Sequence, residues 1–214
     1  MRIANTAATL VCALGLAAGS AAAQNAPSMS GMQPGTRGVN PLPPLTLAVG
    51  ESAQQMFTPA KIAAVASVSN INEIDPSRVA LTNSQNPQIQ AYARDMVLEH
   101  TQFEGQLRTM LTQKKMLAQD NALSYQLKRN AVPTLDSLRS KQGMMFDVAY
   151  VNQQIMSHDL TLKTLDISLI PLATDPDMKN MLQNQVRPAV ARHLERIKQI
   201  QMSMLAPAAR TSSR

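Results

Sequence analysis

Tryptophan is absent from this 214-residue chain, tyrosine and phenylalanine occur three times each, and there is one cysteine. So few rings provide no stacking platform for single-stranded nucleic acid, and the basic residues form no cluster that would bind a phosphate backbone, so no nucleic-acid partner is expected. The single cysteine, Cys12, lies in the N-terminal apolar run. If that run is removed, the rest of the chain has no thiol for a disulfide, a thiolate nucleophile or a cysteine-ligated zinc or cluster. Long apolar runs are also missing, since the most apolar later stretch, 160–173, contains Lys163 and Asp166, so no membrane span is expected after the leader. No run alternates apolar and polar residues over a useful length, which argues against strands. A nucleophile motif, a phosphate loop and a pair of acids at helical spacing are all lacking, which sets hydrolase chemistry aside.

At the N-terminus, Arg2, the apolar run 9–18 and the small-residue exit Ala21-Ala22-Ala23 before Gln24 make a secretory signal peptide over residues 1–23. Cys12 follows Val11, where lipid attachment would need a small residue, so it is read as discarded with the leader. Residues 24–50, rich in Pro, Gly, Ser and Asn, have no period that could bury a face and read as a flexible tether. Of the formal net charge of +6, only the unit on Arg2 lies in the leader. The remaining positive balance fits a solvated surface able to touch anionic lipid. A bundle domain is expected over 51–205, with a flexible tail at 206–214.

Helix starts are legible. Thr58-Pro59, Asp75-Pro76, Asn86-Pro87 and Asp175-Pro176 each place a capping side chain before a proline at the first helical position. The class is therefore all-α. The first stretch, 58–84, is expected to break or bend at Pro76. The second helix, 87–116, carries a seam at Ile89, Ala93, Met96, His100, Phe103, Leu107 and Met110, in the steps of four and three that keep side chains on one face. The third, 143–171, carries Met144, Val148, Val151, Ile155, His158, Leu162, Leu165 and Leu169. The fourth, 176–204, carries Met178, Leu182, Val186, Ala189, His193, Ile197, Ile200 and Met204, with a kink expected at Pro188. Residues 118–142 hold a short helix, capped by Asp120 and ended near Pro133. A connection of that length can run the length of a bundle and lets the second and third long helices lie parallel.

All three histidines thus interrupt apolar seams, one on each of three helices, and each lies near the midpoint of its helix, as does Glu73 on the first. The midpoint of a helix stays at mid-height whichever way the helix runs, so His100, His158, His193 and Glu73 fall near one level, with Asp147 about three turns before His158 and Tyr150 adding a hydroxyl. Two readings follow. The imidazoles share a divalent metal ion, or they belong to a buried polar network in which Glu73 or Asp147 holds the rings. A bridged di-iron centre would need carboxylates one turn from the histidines on two helices, but the residues three before them are Val97, Ile155 and Val190, and only Glu104 follows His100 at the right spacing. Met96 and Met156 lie near histidines and could be imagined as soft copper ligands, but methionines at seam positions are core filler.

The segments AYARDMVLEH at 91–100 and FDVAY at 146–150, His158, and the run from Pro188 to His193-Leu194 together resemble a bacterial envelope family, associated with the outer membrane, that has a ferritin-like helical domain of unknown function. The resemblance covers about Ser52 to Ile200. It implies a ferritin-like four-helix bundle with a long crossover between helices two and three, placed in the periplasm or at the outer membrane, and implies no reaction. Glu73, His100, Asp147, Tyr150, His158, Pro188 and His193 match the family pattern, and Pro76 departs from it. The residue reading favours a non-enzymatic envelope protein, with a ferritin-like metal-dependent redox enzyme as the rival class.

Overall fold

The computed structural model describes residues 52–205. The signal peptide, the tether and the tail expected at 1–23, 24–50 and 206–214 lie outside the described residues. Among those described there is no strand, and the fold is all-α. A one-turn helix α1 (Ala53–Met56) is closed by a capping box between Ser52 and Gln55. Helix α2 (Pro59–Asn83) starts on the Thr58 hydroxyl and α3 (Pro87–Gln113) on the Asn86 side chain, each followed by proline at the first position. Helix α4 (Ala122–Arg139) starts on a capping box made by Asn121 and Ser124. Helix α5 comprises Gly143–Thr164, a widened turn Leu165–Leu169 and Ile170–Leu172. Its first residue, Gly143, has φ +54°, a backbone that a residue without Cβ adopts at no steric cost. Helix α6 comprises Pro176–Met181, a second widened turn Leu182–Val186 and Arg187–Leu205, and its start is capped by Asp175.

The prolines act differently from what their neighbours suggest. Asp75 caps nothing: α2 runs unbroken through Pro76, which is buried. An interior proline costs about 3 kcal/mol, but most helical stability in proteins comes from packing. Here Ile74, Ser77 and Ala80 on either side are buried. Helix α4 likewise continues through Pro133 to Arg139 and is capped by Asn121. Asp120 instead accepts from Ser124 Oγ at 2.9 Å and pairs with Lys128. In α5 and α6 the prolines Pro171 and Pro188 are each preceded by a turn of π-helix, in which Ile170 N–H reaches back to the Leu165 carbonyl and Arg187 N–H to that of Leu182. A proline has no N–H for the carbonyl four residues back, and a turn with one extra residue absorbs that mismatch.

The core has two apolar clusters, and each of the four long helices contributes to both. One holds Ile62, Leu107, Leu165 and Leu182; the other holds Ala80, Ile89, Phe146 and Ile197. Read along the chain, α3 and α5 go from the second cluster to the first, and α2 and α6 go the other way. Helix α4 places Leu123 in the first cluster and Leu138 in the second, so it carries the chain back along the length before α5 begins. That return makes α3 and α5 parallel, as the long connection allowed.

One seam is drawn differently from its apolar spacing. Met144 is 79% exposed and Val148 47%, whereas Phe146, Asp147, Tyr150, Val151, Gln154 and His158 form the buried face of α5. Following apolar residues alone misses this face, because polar Asp147 and Gln154 take two of its inward positions.

Candidate metal centre

On every long helix the residues between the two apolar clusters include a buried polar side chain: Glu73 on α2, His100 on α3, Gln154 and His158 on α5, and His193 on α6. The structure brings the three histidines together. Their ring centroids are 6.2 Å apart for His100 and His158, 5.4 Å for His100 and His193, and 5.4 Å for His158 and His193. One ring nitrogen from each lies within 4.8 Å of one from each of the others, and all three residues are buried. Three nitrogens on a tetrahedral ion at a metal–nitrogen distance near 2.1 Å would sit about 3.4 Å apart, so small side-chain rotations would close the set around a metal.

The tautomers follow from the neighbours. His158 Nδ1 is 2.9 Å from the Gln154 carbonyl, which can only accept, so Nδ1 carries the proton and Nε2 the lone pair. His100 Nδ1 is 3.1 Å from Asn70 Oδ1 and donates to it. Asn70 is turned that way because its Nδ2 donates to Glu104 Oε2 at 3.4 Å, and Glu104 in turn is held by Ser67 Oγ and Arg108 Nε, both at 2.9 Å. This is the outer support that fixes a ligating imidazole, with an amide between ring and carboxylate. His193 Nε2 lies 3.2 Å from Glu99 Oε2, which Arg192 also contacts at 3.2 Å; the His193 contact is close enough for an ion pair but lacks hydrogen-bond geometry.

Five buried side-chain nitrogen or oxygen atoms among the described residues have no hydrogen-bond partner, and four of them are on these rings: His100 Nε2, His158 Nε2 and both nitrogens of His193. Burial, reinforced by His158 and His193, holds His100 well below the usual imidazole value. His193 is pushed down to about 4 by burial and by His158, against an opposing pull from Glu99. At neutral pH both rings are therefore uncharged and have a lone pair to offer, as a metal ligand must.

Glu73 lies beside the histidines without joining them. Its Oε2 is 4.0 Å from His158 Nδ1, on the protonated edge of the ring, and accepts from Gln154 Nε2 at 2.8 Å, while Ser157 Oγ donates to Oε1. Tyr92 donates to Gln154 Oε1 at 3.1 Å, and Tyr150 pairs with Ser77 at 2.8 Å. Burial raises both phenols, so they stay protonated. Asp147 is not brought to the cluster. Eleven residues of helix separate it from His158, about 16 Å of rise, and it follows Phe146 at the other cluster's level, its Oδ1 being the fifth unpartnered atom. Met96 is fully buried in that apolar cluster and Met156 is half exposed.

Residue spacing missed Asn70, Glu99 and the support role of Glu104. Glu104 and Gln154 had a readable signal, each lying one turn from a histidine on its own helix. Asn70 and Glu99 reach histidines on other helices, a pairing no local spacing reveals. Beyond His100 and His158 a partly open cavity of about 540 Å³, mouth included, extends into the first apolar cluster, reaching Leu107, Leu165 and Leu182. No curated protein and no solved structure matches the chain. A family model does match over residues 46–200, and the protein belongs to the family described as Domain of unknown function (DUF4142).

Proposed function

We propose that this DUF4142 protein is exported to the periplasm or outer membrane, folds as a ferritin-like four-helix bundle with α4 as its long crossover, and binds one divalent metal ion through His100, His158 and His193. The observation that carries the metal reading is the convergence of ring nitrogens that are buried and without a partner. Leaving a buried polar atom unpaired costs about 1–3 kcal/mol, and a shared cation would remove several such costs at once. Three imidazole ligands suit zinc, copper, iron or nickel and leave one position open. A bound ion would supply Lewis acidity there. Asn70 and the Gln154 carbonyl hold two of the rings by their outer nitrogens, Glu99 flanks the third, and Glu73 lies beside His158. The leader at 1–23 and the family resemblance support export. Because the three-histidine group includes no carboxylate, a bridged two-metal oxidase is not proposed.

Elemental analysis of protein purified from the envelope fraction at neutral pH tests the reading. One equivalent of a single transition metal per chain is expected in wild type, with little in His158→Ala, on a chain whose intact mass starts near Gln24. Folded wild-type protein without stoichiometric metal, even after reloading, would contradict it.

A further inference from the structure

The cavity beside the histidines is bordered by the widened turns of two helices. Leu165 and Leu169 from the widened turn of α5, and Leu182 and Val186 from that of α6, all line it. A π-turn inserts an extra residue and displaces the side chains around it, a deformation that persists where it shapes a site. Here two such turns on adjacent helices border one space. Its inner end is polar, with His100, His158, Glu73 and Asn70, and its remaining wall is almost wholly apolar. It has room for about three water molecules, which apolar walls would leave short of partners, and Phe103 and Val186 in its lining are partly exposed. An apolar chamber with a few polar groups converging at one end is the usual form of a small-molecule site.

We propose that the open position of the three-histidine metal takes the carboxylate of a short aliphatic monocarboxylate, whose hydrocarbon chain lies in this cavity. The inference rests on the metal reading above. Imidazole ligands add no charge, so a divalent ion held by three of them stays positive, and its open position favours an anionic head group. A carboxylate is already ionised at neutral pH and sheds no proton on binding, unlike a thiol. Among the described residues no Lys or Arg lines the cavity, so the ion supplies the positive partner there and binding is strictly metal-dependent. The chain replaces poorly bonded water against Leu107, Leu165 and Leu182.

Cobalt(II) is the probe, because its visible absorption reports changes in coordination. The full chain loaded with Co(II) is titrated with acetate, propionate and butyrate, with butylamine as control. The expected result is a saturable spectral change for the acids, with affinity rising about fourfold per added methylene and no response to butylamine. Ala66→Leu and Val186→Phe, both at partly exposed lining positions, should keep the cobalt spectrum and weaken butyrate at least tenfold. A normal cobalt spectrum that no acid alters, or an affinity independent of chain length, overturns the carboxylate site and leaves the metal reading intact. Failure of cobalt to bind overturns both.

Discussion

Gln154 and His158 are one helical turn apart on α5, and the buried polar groups around them follow different rules. Around Gln154 the groups are paired: Tyr92 donates to its oxygen, its nitrogen donates to Glu73, and Ser157 holds the other Glu73 oxygen. Around His158 the outer ring nitrogens are tied to Gln154 and Asn70 while the inner ones are left over. Both regions are equally dry, so burial is not what separates them. A network whose members satisfy one another contributes to a unique fold, whereas a cluster whose members are oriented yet unpaired is arranged for something not made of protein.

The largest expected effect that sharpens this contrast is acid sensitivity. His193 is held near 4 and His100 well below 6.5, so the native protein refuses protons that the unfolded chain accepts. Stability is then complete above pH 6.5 and falls as pH drops toward 4, by on the order of 3 kcal/mol from His193 alone. Urea unfolding in chelator at pH 7, 5.5 and 4.5 would show the decline; a flat profile would mean that the rings are not buried neutral. Next in size, Gln154→Leu strands Tyr92 and one Glu73 oxygen and should cost about 2–4 kcal/mol at pH 7. The smallest effect is expected from the unpaired side. Without metal, His193→Leu should lower stability by no more than about 1 kcal/mol, because the ring nitrogens it removes have no hydrogen-bond partner, and it should flatten the acid profile. Equal losses in Gln154→Leu and His193→Leu would erase the distinction between the two regions.

Much of this arrangement is legible in the residues alone. Steps of four and three place Ile89, Met96 and His100 on one buried face and Leu182, His193 and Ile197 on another, because the period of a helix depends on the chain alone. Thr58, Asn86 and Asp175 cap their helices as their spacing implies, since a cap is local chemistry. What is not legible depends on partners distant in sequence. Pro76 looks like a helix start and sits mid-helix because α2 is packed on several sides. Met144 and Val148 look like core and face solvent because Gln154 and Tyr150, which have partners on α2 and α3, pull the other face of α5 inward. Asp147 matches the family pattern but is about three turns from the rings. The histidines meet at mid-height in spite of these differences, since that placement needs neither helix direction nor neighbours.

The most direct test of the central claim is thermal melting of wild type and His158→Ala at neutral pH, each with chelator and with Zn, Fe, Cu or Mn. At a hundredfold excess over the dissociation constant a metal that binds only the native state adds about 2.7 kcal/mol. For a chain of this size that is a rise in Tm of roughly 5–10 °C. A shared metal site predicts such a rise for at least one metal in wild type and none in His158→Ala. Wild-type curves that coincide in every metal and in chelator would contradict it and leave the histidines as unpaired members of the core.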